Sequence, residues 1–262
     1  MRHATRCLAI AAIVVSGCAL QRPGPLTSKS DVVQQVLPSM VQLAYEESDG
    51  RMRYSSGVVV GSGPTRRAGQ APASYIVTSG HAVAVAGKGA ESGRLMVRYR
   101  GADDRLGQAL AAVEAVDEAA DLAILRVEGV RLPAARFDRP DRIRVGDEVL
   151  VVGAPFGRGL SVSSGIVSQL ELAEPDGRAT SEALLKIDAP VGYGSSGGGV
   201  FQVGRGRLIG IVEGYRTATV SLKLAGNAYS FQVPMPGETF VVPTAEIRRF
   251  LRARGLEGLL SD

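Results

Sequence analysis

The run Gly192-Tyr193-Gly194-Ser195-Ser196-Gly197-Gly198-Gly199 sets two serines in a turn built largely of glycine, between apolar runs at 184–187 and 199–201. Glycine admits backbone angles and close approaches that a Cβ forbids. Such a turn can hold a hydroxyl at the surface with backbone N–H groups aimed beside it. Acyl transfer needs that pairing, because the oxyanion forms next to the nucleophile and has to be met by donors already in place. A serine hydroxyl is a poor nucleophile until a neighbour takes its proton, and imidazole titrates in the right range. The chain has two histidines. His3 lies in a segment read below as a removed leader, which leaves His81, after the apolar run 75–77, as the candidate base. The remaining part is a carboxylate that holds the imidazole tautomer and stabilises its charged form. Asp121, at the head of Asp121-Leu122-Ala123-Ile124-Leu125, stands in a suitable place, with Asp103, Asp104 and Asp117 as rivals on spacing alone. This chemistry requires no cofactor and no metal, and none is expected.

The elements that must position these groups read mostly as strands. With 262 residues, 45% hydrophobic and 21% charged, the chain has the composition of a globular protein. Its 33 glycines favour turns and short strands over long helices. Apolar or alternating runs bounded by turn residues fall at 41–45, 57–60, 75–77, 95–99, 110–116 and 122–127. They fall again at 148–152, 160–170, 183–187, 199–202, 208–212 and 240–242. About six short strands per half predict an all-β fold of two antiparallel six-stranded β-barrels. The first covers about 41–129 and the second about 145–243, with 130–144, which holds Pro133 and Pro140, crossing between them. A short N-terminal helix is expected over 32–37, capped by Asp31 and stopped by Pro38. A C-terminal helix is expected over 244–254, where Ile247, Phe250 and Leu251 share one face and Gly255 ends it. The stretch 215–238 reads as a surface loop.

Residues 1–17 read as an export signal. Arg2, His3 and Arg6 precede an apolar stretch over 7–15, too short for the roughly 20 residues a bilayer span needs. Val15-Ser16-Gly17-Cys18 resembles the bacterial lipobox, which implies that Cys18 is lipidated and becomes the new N-terminus. Residues 18–30, with Pro23, Gly24 and Pro25, then form a tether, and 31–262 form the folded domain. Ala19 in place of an aspartate points to outer-membrane sorting. The expected location is the bacterial cell envelope, lipid-anchored at the outer membrane and facing the periplasm, with the membrane as a partner through the lipid alone. Both cysteines, Cys7 and Cys18, lie in this segment, so the domain has no disulfide. The net charge is +4, from 30 basic and 26 acidic residues, and without Arg2 and Arg6 the counts become 28 and 26. No basic block stands out, which argues against nucleic acid as a partner.

Three boxes resemble those of the trypsin-like serine proteases. Tyr75-Ile76-Val77-Thr78-Ser79-Gly80-His81-Ala82-Val83 is similar to their histidine box. Asp121-Leu122-Ala123-Ile124-Leu125 is similar to their aspartate box, and Gly194-Ser195-Ser196-Gly197-Gly198 to their nucleophile loop. The order His, Asp, Ser is that of the chymotrypsin-like fold. Within that group the pattern is nearest the bacterial high-temperature-requirement, or Deg-type, proteases. Val145-Gly146-Asp147, Gly153-Ala154-Pro155-Phe156-Gly157, Ser164-Gly165-Ile166-Val167-Ser168, Leu208-Ile209-Gly210-Ile211 and Phe240-Val241-Val242-Pro243 resemble the opening and later strands of their second barrel. The resemblance runs from about Val32 to Leu251.

Carried over by position, the resemblance makes Ser196 the nucleophile, His81 the general base and then acid, and Asp121 its orienting partner. It makes the backbone N–H groups of Gly194 and Ser196 the oxyanion hole. It implies that Ile211, Val212, Glu213 and Gly214 form a wall that pairs with an extended peptide. Asp188 reads as structural. Two departures bear on the oxyanion loop: Gly192-Tyr193 stands for the family's Asn-Pro or Asn-Arg, and Gly199 for a common proline. The resemblance is not expected to reach a PDZ module, and trimerisation or activation through one is not implied. The expected function is a lipid-anchored serine endopeptidase acting on protein or peptide substrates. The alternatives are a catalytically silent, chaperone-like binding lipoprotein on the same scaffold, and an esterase using the same three groups. Oligomeric state stays open.

Overall fold

The computed structural model describes residues 28–46, 50–63, 72–84, 95–101, 104–170, 184–224 and 227–260. The leader, Cys18, most of the tether and Asp103 lie outside them. Helix α1 (Lys29–Val36) comes first and starts before the expected 32–37. Ser28, not Asp31, is its cap: the Ser28 hydroxyl accepts from the Asp31 N–H at 3.2 Å, which leaves Asp31 in the first turn near the positive end of the dipole. A 3₁₀ turn at Leu37–Ser39, carrying Pro38, then delivers the chain into the first sheet.

That sheet is built from β1 (Met40–Glu46), β2 (Met52–Gly63), β3 (Ala73–Ser79), β4 (Met96–Arg100), β5 (Leu106–Leu110), β6 (Ala112–Asp117) and β7 (Leu122–Glu128), with α2 (Gly80–Ala84) after β3. Its order is β5-β4-β1-β2-β3-β7-β6, and every pairing is antiparallel. Seven strands appear where six were expected because β5 was not anticipated: the expected strand 110–116 corresponds to β6 and holds only Leu110 of β5, with Ala111 between the two. β5 and β6 sit at opposite edges of the sheet yet are one residue apart in the chain. Consecutive Cα atoms are only about 3.8 Å apart, so the sheet has to roll until its edges meet.

The second half is a closed barrel of β8 (Glu148–Gly153), β9 (Ser161–Gln169), β10 (Leu185–Ile187), β11 (Gly199–Gln202), β12 (Arg207–Leu224) and β13 (Asn227–Pro243), in the order β10-β13-β12-β11-β8-β9. Helix α3 (Thr244–Ala253) follows. The expected loop at 215–238 is instead the outer part of β12 and β13, paired from Thr217↔Pro234 to Leu224↔Asn227. The stretch 130–144 is irregular, with buried Phe137 bridging to Leu208 and a 3₁₀ turn at Pro140–Arg142.

The several continuous apolar runs follow from burial on both strand faces, since successive side chains point to opposite sides. In β2, Val59 enters the core of the first sheet while Val58 and Val60 face a second core between the halves. In β8, Val149 and Val151 fill the barrel, and Leu150 and Val152 join that same middle core. Met40, Phe137, Phe201 and Leu208 complete it, with Val32 and Val36 of α1 and Ile247, Phe250 and Leu251 of α3 closing its sides. Among the described residues no helix is long and apolar enough to cross a membrane.

Candidate active site

The seven residues of β3 are all buried, and the strand ends at Ser79 where α2 turns the chain outward. His81 is therefore the first exposed position after a buried run, with 53% of its side chain accessible. Asp121 precedes β7, the neighbour of β3, so the sheet brings two residues 40 positions apart side by side. Its carboxylate is spent entirely on His81. Oδ1 accepts from the His81 backbone N–H at 2.7 Å, and Oδ2 lies 2.8 Å from Nδ1. The Asp121 carbonyl also accepts from the Gly80 N–H at 2.9 Å. Asp121 adopts φ 46°, a left-handed conformation that an aspartate tolerates better than most residues. An Nδ1 that faces a carboxylate carries the proton, which leaves Nε2 as the basic nitrogen. The hydrogen bond to Asp121 raises the His81 pKa above 6.5; burial opposes it, and the charges of Asp121 and Glu213 add to the rise.

The two rival aspartates among the described residues are engaged elsewhere. Asp117 accepts from the Ala120 N–H at 3.1 Å, and Asp104 pairs with Arg100 at 2.9 Å.

The glycine-rich turn is held from both halves of the molecule. The Ser196 carbonyl accepts from the Ser56 N–H at 2.9 Å and from the Ser55 hydroxyl at 2.7 Å. The Ser56 hydroxyl donates to the Gly194 carbonyl and accepts from the Ala154 N–H, each at 2.8 Å. Gly197 has φ 78°, and a Cβ there would run into the Ser56 carbonyl oxygen and Thr78 Oγ1, so no larger residue fits. Ser195 is buried, and its hydroxyl accepts from the Gly192 N–H at 3.3 Å. Ser196 is only partly buried, and its Oγ carries no hydrogen bond among the described residues, that to the imidazole included. One carbonyl links the two sides: Val212 C=O accepts from the Gly197 N–H at 2.8 Å and from the Ser79 hydroxyl at 3.1 Å. Its donors are thus one residue past Ser196 and two residues before His81.

Around Gly194 the backbone is equally constrained. Tyr193 C=O accepts from the Phe156 N–H at 2.8 Å. No cis peptide occurs among the described residues, so the Gly194 N–H points to the side away from Phe156. Arg53 of β2 reaches across to this loop: Nη1 donates to the Tyr193 hydroxyl at 2.6 Å, and the guanidinium lies 5.6 Å from the ring centre. The altered residue at 193 is thus tied to the other half of the molecule. At Gly199 a Cβ would meet the Phe201 ring and Met40 sulphur, which explains why a proline is absent there.

Of the expected peptide wall, Ile211 and Val212 are buried, and the Val212 N–H donates to the Gly198 carbonyl at 2.8 Å. Glu213 lies near enough to raise the His81 pKa. Gly214 faces open space. Asp188 accepts from the Ile166 N–H at 2.6 Å and braces β9. Beside the loop lies a cavity of about 450 Å³ whose lining includes Val151, Pro155, Val191, Tyr193, Tyr215 and Pro234 and carries no charged side chain. Ser55, Ser56 and Arg53 take part here without any local signal of it. In the sequence they are strand residues like their neighbours.

A family profile described as the trypsin-like peptidase domain matches residues 55–211, a span that holds His81, Asp121 and Ser196. The chain belongs to the trypsin-like peptidase family. Among curated sequences it is similar to a probable periplasmic serine protease do/HhoA-like of Haemophilus influenzae, 36% identical over 119 residues, or 45% of this chain and 24% of that one. It is also similar to the magnetosome formation protease MamE of Paramagnetospirillum magneticum, 31% identical over 180 residues, or 68% of this chain and 22% of that one. The matches thus span about a quarter of the length of those relatives. Among solved structures, the HtrA-type protease AlgW with a tripeptide superposes with a TM-score of 0.62 at 27% identity, over 88% of this chain and 64% of that one. Deg5 shares the fold, with a TM-score of 0.61 at 21% identity over 84% of this chain and 90% of that one. The trypsin-like fold expected from the three boxes is the fold of this family member.

Proposed function

We propose that this peptidase-family chain is a serine endopeptidase of the Deg type that cleaves peptide bonds through an acyl-enzyme. The reading rests above all on His81, whose Nδ1 is pinned to Asp121, which leaves Nε2 as the basic nitrogen for a proton from Ser196. In the proposed sequence Ser196 Oγ attacks the carbonyl carbon and its proton passes to His81 Nε2. The N–H groups of Gly194 and Ser196 receive the oxyanion. As the tetrahedral adduct collapses, the C–N bond breaks and the leaving amine takes the proton from Nε2. Water then repeats the steps and releases the acid. Catalytic hydrogen bonds are often unformed before substrate arrives, which accommodates a resting Ser196 hydroxyl not yet bonded to the ring. The uncharged cavity favours apolar side chains at the cleaved bond.

The proposed setting is the bacterial envelope, consistent with the periplasmic relatives, with Cys18 lipidated and residues 19–30 tethering the domain. Labelled palmitate incorporated by the intact chain and absent from Cys18→Ala would support the anchor; equal labelling would remove it.

A fluorophosphonate probe tests the chemistry. Labelling of the protein, lost in both Ser196→Ala and His81→Ala, is the expected result. A folded protein that is neither labelled nor able to cut casein favours a silent binding scaffold, and labelling without casein cleavage favours an esterase.

A further inference from the structure

Beyond the barrel, β12 and β13 continue as a two-stranded arm reaching Leu224 and Asn227. Within the barrel, β12 is flanked by β13 and β11, but its β11 pairing covers only 207–211. From Gly214 to Lys223 its outer edge pairs with no other strand among the described residues, about 30 Å of backbone at the usual strand rise. Long exposed edges invite pairing by another chain, and folded proteins ordinarily blunt them with charge or proline. This stretch carries only Arg216 and Lys223.

The arm is two-faced. Directly opposed residues share a face, and Pro234, opposite Thr217, lines the cavity together with Tyr215. On that face Gln232 bonds to Thr217 and Thr219, at 2.9 and 2.8 Å, and Ser221 bonds to Ser230 at 2.9 Å. The alternate pairs, Val220 with Phe231 and Leu222 with Tyr229, form the other face. These four side chains are 40–50% exposed. They form a row of a few hundred Å², the scale at which an apolar patch on a monomer is often functional. The area is below the roughly 800 Å² per partner of a standard protein interface, which disfavours a second copy held by this row alone. A lipid surface would leave the edge N–H and C=O groups without partners.

We propose that the outer edge of β12 from Gly214 to Lys223, with the apolar row beside it, docks the part of an unfolded substrate N-terminal to the cleaved bond. The preferred segments alternate apolar and polar residues. The inference rests on the peptidase reading above and extends its site. Its direction follows from the sheet: every barrel pairing is antiparallel, and β12 runs away from the Ser196 loop beyond Val212. A chain paired antiparallel to it therefore runs toward the loop, with its N-terminal residues along the arm. Every second side chain of that chain falls on the face of Val220, Leu222, Tyr229 and Phe231.

The test uses two fluorogenic peptides that share the residues around the cleaved bond. One carries four residues on the N-terminal side, the other ten residues of alternating valine and threonine. Wild type is expected to show kcat/KM about tenfold higher for the long peptide, the effect of a few cross-strand contacts. Replacing 218–233 by an Asn-Gly turn should bring the ratio to about one and leave short-peptide cleavage intact. Val220→Ser with Phe231→Ser, which keeps the hairpin backbone, should remove most of the gain. An unchanged ratio in the shortened chain overturns the proposal. So does a wild-type dimer that the shortening dissociates with no change in the ratio, since the arm is then a subunit contact. If wild type cleaves neither peptide, the peptidase reading fails separately. Anisotropy of the labelled long peptide then decides the docking strip: binding lost with the arm supports it, and equal binding removes it.

Discussion

At His81 one carboxylate makes two bonds, one to the ring and one to the backbone, and this sets the electrostatics of the site. Because the Asp121 bond favours the imidazolium, the proton is held to higher pH than in free histidine. General-base action needs the neutral ring, so the acid limb of kcat/KM is expected to lie above pH 6.5. Glu213 adds to that shift by its charge. Glu213→Gln should therefore move the acid limb to lower pH without removing activity; a limb that stays in place would separate Glu213 from the ring. Asp121→Asn should lower kcat by about 10⁴. Local reading of the sequence found His81 by elimination, since the leader claims the other histidine. It left Asp103, Asp104, Asp117 and Asp121 equivalent on spacing. What separates them is β3 pairing with β7, a contact between distant parts of the chain.

Among the elements, β2 does more than build its sheet. Ser55 and Ser56 hold the carbonyls of Ser196 and Gly194 across 141 and 138 residues. Ser56→Ala leaves a buried carbonyl and the Ala154 N–H without that partner, at a cost of about 1–3 kcal/mol. Urea denaturation should show the loss. Activity should fall further than the loss of folded protein explains, because the Gly194 carbonyl is also released. Equal activity per folded molecule would mean the loop keeps its shape unaided. The arm teaches a different lesson about legibility. Residues 218–222 and 229–233 alternate with period two, so the strand signal was present. It read as a loop because an alternating strand normally has a buried face, and among the described residues no layer covers this one. β5 is a second case: only its last residue, Leu110, fell in an expected strand, because Gly107 and Gln108 interrupt the apolar pattern and its place beside β4 comes from pairing across the sheet.

For the molecule as a whole, the joint between halves holds a buried ion pair. Asp138, in the crossing segment, is 1% exposed, with Oδ2 held by Arg205 Nη2 at 2.9 Å and Nε at 3.1 Å, and Oδ1 accepting from the Arg139 N–H at 2.9 Å. Arg205→Ala strands a buried carboxylate, and a destabilisation of about 3 kcal/mol is expected, the low end for such a loss because the guanidinium is partly solvated. Asp138→Asn in the same background should recover part of it in a thermal melt. No recovery would show that Arg205 acts through packing.

The sequence by itself determined most of the strands, the terminal helices and, through the three boxes, the chain order of His81, Asp121 and Ser196. These depend on side-chain periodicity and on glycine and proline punctuation, which act within a few residues. Only the tertiary structure decided how both oxygens of Asp121 meet His81, how Val212 C=O ties the histidine strand to the serine turn, and that the last hairpin leaves the barrel. Those outcomes are hydrogen bonds and packing between residues far apart in the chain. No local pattern records such contacts, because each depends on where the rest of the sheet has already gone.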